Sequence, residues 1–165
     1  SWRRNPWVDV DTVGSPALPG GRFAKATTHV ESSTVVVISV CVPWRAAHVS
    51  SGRRDRKPWD DHESYLNGLV QLLGSSPRQP TIVVGDLNQT IPRKRAPIRL
   101  FDVLTAALDR FSVSTAGSVP GLSRQPVCHI AASHHFTCRK VYGKSRAQLG
   151  GELSDHDCLF AEFVF

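Results

Sequence analysis

The chain has 165 residues, 41% of them apolar, and a formal charge of +6. This is enough for one domain with its own core and excludes a disordered or fibrous polypeptide. There is no run of about 18 apolar residues and no basic start leading into an apolar stretch and a small-residue cleavage site, so neither a membrane-spanning helix nor a secretory signal is expected.

Residues 1–20, SWRRNPWVDVDTVGSPALPG, are rich in Pro, Gly and Trp and are expected to form an irregular segment entering a domain that occupies 21–165. GRFAKATTHVE predicts a strand, and Glu31-Ser32-Ser33 a turn. TVVVISVCV (34–42) is β-branched and almost wholly apolar, the pattern of a strand covered on both faces, and Pro43 ends it. After an Arg-rich loop, Pro58 opens a helix. Trp59, Leu66, Leu69, Val70 and Leu73 recur along it at three- and four-residue spacing and form one apolar face. Asp60, Asp61 and Glu63 sit in its first turn, where the helix dipole favours them, and Gly74 with the polar residues after it stops it. TIVVGD is the next strand. PIRLFDVLTAALDR (97–110) is a second helix with the stripe Leu100, Val103, Leu104, Ala107 and Leu108. FSVST, PVCHIAAS, HFTCRKVY and the closing HDCLFAEFVF read as strands, with GKSRAQLGGELS a loop before the last. The alternation of strand and helix places strands inside and helices outside.

The four cysteines, Cys41, Cys128, Cys138 and Cys158, form no CxxC pair, and three lie in strand-like runs. Free thiols in a reducing, cytoplasmic compartment are expected. CHIAASHHFTC (128–138) holds two Cys and three His. Strand alternation puts Cys128 and His129 on opposite faces, and paired-ligand spacing is missing, so zinc is not expected from this stretch. Positive charge concentrates in RAAHVSSGRRDRK and PRKRAP, which suit solvated loops or an anionic partner such as nucleic acid or another phosphoester.

Two stretches carry candidate chemistry. In TIVVGDLNQ (81–89), Asp86 and Asn88 follow an apolar strand, the end of an α/β sheet at which ligands bind. Asp and Asn also form turns, and the stretch read alone fits either. In LSDHDCLFAEF (153–163), Asp155 beside His156 can bind metal or orient and protonate the imidazole. Trp44, next to Arg45 at a strand end, is a candidate substrate contact, whereas Trp59 on the helix face is expected in the core.

GDLN after a β run, followed by SDH about 70 residues later at the start of the final strand, resembles the endonuclease/exonuclease/phosphatase superfamily, of the AP endonuclease and deoxyribonuclease I type. VVVISVCVPW resembles its central strand, RDRKPWDDHESYL the helix after it, and VCHIAAS the strand before the last loop. The similarity runs in order over roughly residues 20–165. It implies a four-layer α/β sandwich of two packed mixed sheets flanked by helices. It also implies Mg²⁺- or Mn²⁺-assisted attack of water on a phosphoester. Asp86 would orient or deprotonate the water and Asn88 would hold the phosphate and align Asp86. Asp155 would join Asp86 at the metal, His156 would contact the phosphate, and His129 would face substrate; Trp44 and Arg45 are substrate-contact candidates by their place at a strand end and not by the resemblance.

Three positions depart from that pattern. No early strand carries the superfamily's Asn or its metal-binding Glu, so the N-terminal part of the domain is expected to lie outside this sequence; a whole domain needs about 250 residues. Cys41 stands where His or Tyr is usual, and Cys128 where an Asp orients the final His. The expected activity is hydrolysis of phosphodiester bonds in nucleic acid. The alternative is a truncated or degenerate domain that binds anions or a protein partner without turnover. With half of a sandwich, the 34–42 strand needs cover from the Trp-rich segment, a partner chain or absent residues.

Overall fold

The computed structural model describes residues 5–50, 52–75, 79–148 and 154–165. Its elements in chain order are β1 (Val8–Asp11), β2 (Phe23–Val30), β3 (Ser33–Cys41), α1 (Ala47–Ser50), α2 (Asp60–Ser75), β4 (Thr81–Asp86), α3 (Ile98–Ala107), β5 (Phe111–Val113), β6 (Cys128–Ser133), β7 (Thr137–Lys144), a 3₁₀ turn (Arg146–Gln148) and β8 (Cys158–Val164). Six strands form one mixed sheet in the order β1-β2-β3-β4-β6-β5, and β7 with β8 forms a second sheet. Among the described residues only β3 and β4 pair in parallel; α2 makes the crossover between them. The fold is mixed α/β with two sheets, as expected, although the second sheet is a two-stranded antiparallel ribbon.

Strand alternation fixes two faces of the large sheet. Ile38, Val83 and Ala131 lie in register across β3, β4 and β6 and are buried. Against this row pack His62, Tyr65, Leu66, Leu69 and Leu73 of α2, and Leu100, Leu104 and Ala107 of α3. Burial of so many aliphatic side chains, each worth roughly 1.5–3 kcal/mol, makes this layer the core. The other face carries Val35 and Ala132, which are buried, and Val37, Ile82, Val84 and Ile130, which are half-buried, so it is the less covered of the two. No helix is long and apolar enough to cross a membrane among the described residues.

The N-terminal segment departs from expectation. Val8–Asp11 pairs antiparallel with β2, Val8 opposite Thr27, and all four residues are exposed, which makes β1 an edge strand. A four-residue strand bounded by Pro and Gly gives little pattern to read, and its partner supplies the order. Leu18 from the same segment is buried against α2, where Gly68 leaves room for Ala17 and Leu18.

Gly85, with φ +137°, sits next to β3; a Cβ there would lie 1.9 Å from the Val40 carbonyl oxygen. The contact is with backbone, so no side-chain movement relieves it. Gly85→Ala is expected to destabilise the fold by roughly 2–5 kcal/mol, from backbone strain and overpacking together, read as a lowered midpoint in urea denaturation.

Candidate active site

Register decides what surrounds Asp86. At the ends of three adjacent strands, Cys41 on β3 is paired with Asp86 on β4, and Asp86 with Cys128 on β6. In-register neighbours point to the same side of a sheet, so the three side chains form one row. They stand in the wall of a cleft of about 930 Å³ on the face away from the helices. The β7–β8 ribbon leads Asp155 and His156 to the same cleft.

Asp86 is fixed by the residue two positions on. Asn88, with φ +51°, donates its backbone N–H to Asp86 Oδ1 at 2.9 Å and its side-chain Nδ2–H to Asp86 Oδ2 at 2.6 Å. The same Nδ2 donates to the Val42 carbonyl at 2.8 Å. The stretch is therefore a turn, and the left-handed residue Asn88 is what aims the carboxylate into the cleft. Burial pushes the Asp86 carboxyl above its ordinary value, an effect opposed by the Asn88 N–H, His156 and Arg22 and reinforced by Asp155.

His156 Nε2 lies 4.0 Å from Asp86 Oδ2 and 3.5 Å from Asp155 Oδ1, and its Nδ1 lies 3.1 Å from Cys128 Sγ. The Cys128 thiol is pushed up to about 12, first by burial and then by Asp86 and other nearby negative groups, so it stays protonated and can donate to Nδ1. A thiol is a weak donor and leaves the imidazole less firmly held than a carboxylate would. The Asp155 side chain is 87% exposed; Arg146 donates from Nη1 to its carbonyl at 2.6 Å and anchors the loop.

Oxygen donors and softer donors therefore meet at one end of the cleft. The Asp86 and Asp155 carboxylates suit a hard cation that keeps most of its water. Asp86, Cys128 and His156 also form a possible metal-binding triad, with one ligand atom from each all within 4.8 Å of one another.

Trp44 and Arg45 line the cleft, and Trp44 is 49% exposed. Trp59 lines it too and is half-buried rather than in the core. It precedes α2 with φ +80° and meets His62 edge-on at 5.0 Å. Arg22, Lys94, Arg95 and Arg124 add positive charge. Arg22 gave no sequence signal: it enters from the start of β2 and donates from Nη1 to the Cys41 carbonyl at 3.3 Å.

His129 corrects an expectation. It points to the helix side of the sheet, is 2% exposed and is absent from the cleft wall, so it cannot touch substrate there. Its Nε2–H donates to the Gln89 carbonyl at 3.0 Å, and its Nδ1 accepts from Thr115 Oγ1 at 3.1 Å. On the other side of the same loop, Gln89 Nε2 donates to His62 Nε2 at 2.9 Å, while His62 Nδ1–H donates to the Pro43 carbonyl at 2.7 Å. These two buried imidazoles clamp the loop that follows Asp86. Both are held below their ordinary value, chiefly because burial disfavours the charged ring.

The sign for stability follows from that direction. Below about pH 6.5 the unfolded chain takes up protons that these rings refuse in the fold, so stability present above that pH is lost as pH falls toward their depressed values. Urea midpoints are expected to drop between about pH 7 and pH 5, and His62→Gln should make that drop shallower.

No protein-family model matches the sequence, and no curated protein matches it. Solved structures do. The 3′ phosphatase NExo from Neisseria, as a variant bound to a product DNA hairpin, superposes with a TM-score of 0.71 at 20% identity, over 98% of this chain and 73% of that one. The human Nocturnin catalytic domain with bound sulfate gives 0.65 at 16% identity, over 98% and 60%. An endonuclease/exonuclease/phosphatase protein from Beutenbergia cavernae gives 0.60 at 16% identity, over 96% and 45%. Nearly all of this chain thus matches a part, from under half to about three-quarters, of each larger structure. The chain has the endonuclease/exonuclease/phosphatase fold, in agreement with the resemblance carried by GDLN and SDH.

Proposed function

We propose that this chain is part of a divalent-cation-dependent phosphoesterase that acts on nucleic acid. The observation that carries this is the placement of Asp86, Asn88 and His156 at one end of a cleft whose rim holds Arg22, Arg45, Lys94, Arg95 and Arg124. A buried, aimed carboxylate beside an imidazole suits water activation, and the surrounding cations suit a polyanion. The neighbours NExo and Nocturnin, a 3′ phosphatase with product DNA and a domain with sulfate, support the same class of ligand.

In this mechanism the Asp86 carboxylate, held by both donors of Asn88, orients the attacking water and accepts its proton. His156, at 4.0 Å from Asp86, donates from Nε2 to a phosphoryl oxygen. Arg22 and Arg45 offset the charge that develops on that oxygen. Asp86 and Asp155 would hold Mg²⁺ or Mn²⁺, which when bound supplies Lewis-acid polarisation of the phosphoryl group. Trp44 and Trp59 present aromatic surface on which a base can stack.

A second reading, anion or partner binding without turnover, is favoured by Cys128 in place of a carboxylate beside His156. Among the described residues no glutamate lines the cleft. Cover of the half-buried sheet face by a partner chain or by a segment outside this sequence belongs to both readings.

Mg²⁺-dependent cleavage of plasmid DNA or release of phosphate from a 3′-phosphorylated oligonucleotide tests the proposal. Asp86→Ala and His156→Ala should each lower the rate by about 10²-fold or more; cleavage at the parent rate by both would remove the site assignment. Cys128→Asp should raise the rate by roughly ten- to a hundredfold, because a charged acceptor at Nδ1 replaces a weak thiol contact. Salt-sensitive DNA binding with no turnover in the parent or in Cys128→Asp would favour the second reading.

A further inference from the structure

The expected metal chemistry of this cleft is that of a hard cation on oxygen donors. The donors gathered at its inner end are of another kind. Cys128 Sγ and His156 Nδ1 are 3.1 Å apart, and Asp86 completes a triad whose ligand atoms all lie within 4.8 Å. All three residues are half-buried, which leaves them reachable from the cleft while limiting their alternative partners. Sulfur, imidazole nitrogen and one carboxylate are the donor set of a tetrahedral zinc site with its fourth position open.

We propose that Cys128, His156 and Asp86 form a binding site for Zn²⁺, with the fourth position facing the cleft and open to water or a phosphoryl oxygen. Zinc binding would displace the proton of the Cys128 thiol to solvent, and tetrahedral zinc places thiolate and imidazole ligand atoms roughly 3.6 Å apart. The present 3.1 Å contact therefore needs only a small widening. Ligation through Nδ1 leaves Nε2–H to face Asp155 Oδ1 at 3.5 Å, the carboxylate–histidine arrangement that orients a metal-bound imidazole. Cys41, the other thiol in the row, is directed elsewhere: its Sγ lies 3.5 Å from the Arg22 guanidinium, a cation that opposes a second one beside it. The site differs from any read out of CHIAASHHFTC, because its sulfur and nitrogen ligands are 28 residues apart in sequence, Cys128 on β6 and His156 in the loop before β8. It shares Asp86 with the hard-cation position, so zinc and Mg²⁺ would exclude one another. It does not require that the chain hydrolyse a phosphoester.

The test is titration of the metal-free chain with Co²⁺ as a spectroscopic stand-in for zinc, then displacement by Zn²⁺. One equivalent of Co²⁺ should give a thiolate-to-metal charge-transfer band and the strong visible bands of tetrahedral cobalt. Zn²⁺ should abolish both, and millimolar Mg²⁺ should not. Cys128→Ser should lose the charge-transfer band, and His156→Ala should weaken Co²⁺ binding by at least about tenfold. The double variant Cys138→Ser/Cys158→Ser, which removes the two exposed thiols, should keep the band. X-ray absorption at the zinc edge of the unaltered chain decides the matter even if Cys128→Ser does not fold. It should show a single sulfur at about 2.3 Å among nitrogen and oxygen neighbours at about 2.0 Å. A zinc shell without sulfur, or a charge-transfer band that survives Cys128→Ser and disappears with the exposed cysteines, would overturn the proposal. DNA cleavage is not read in any arm, so failure here leaves the phosphoesterase proposal standing, and the reverse holds too.

Discussion

Gly85 lets β4 lie so close to β3 that the space for a methyl group is already filled by the Val40 carbonyl. That approach sets the parallel register in which Cys41 stands beside Asp86, and the antiparallel register with β6 brings Cys128 to the other side. The whole cleft depends on these three strand ends finishing level. A slip of one residue would turn Asp86 into the helix layer and His129 out into the cleft, since side chains alternate with period two.

Behind that row, the polar clamp of His62, Gln89 and His129 takes the place that aliphatic side chains fill elsewhere in the core. Each ring nitrogen has a partner, which is the condition for burying an imidazole at low cost. The clamp reaches from the ends of β3 and α2 to β6, and Gln89 Nε2 also donates to the Leu100 carbonyl at the start of α3. The loop carrying Asn88 is therefore tied to α2, α3 and two strands. A carboxylate aimed by a left-handed residue can persist only if its surroundings hold that conformation. The neutrality of the two rings connects the aim of Asp86 to pH without either ring touching the cleft.

The cleft itself mixes two chemistries. Its rim is cationic, and its floor holds a carboxylate whose ionisation burial resists and a thiol that burial keeps protonated. A polyanion is attracted by the rim, while the floor gains most from a cation that offsets Asp86. Asp86 is common to both proposed metal arrangements, which differ in whether Asp155 or Cys128 supplies the next donor.

Strong local periodicity made β3, β4, β6, α2 and α3 legible in the sequence, because period-two and three-to-four-residue patterns need no knowledge of the rest of the chain. The order of GDLN and SDH carried the fold and grouped Asp86, Asn88, Asp155 and His156, while Trp44 and Arg45 were singled out by their place after the 34–42 strand. Other features had no local signature. β1 is ordered by its partner, Trp59 is placed by a left-handed turn ahead of α2, and Arg22 arrives from the start of β2. His129 matched a motif yet belongs to the core, since neighbouring residues on a strand face opposite ways. Composition and pattern thus determined which segments are strands and helices and which residues could do chemistry. Tertiary structure decided which of those residues share a cleft and what each one touches, because strand register and the return of the β7–β8 ribbon, not distance along the chain, set Cys128 against His156 and both beside Asp86.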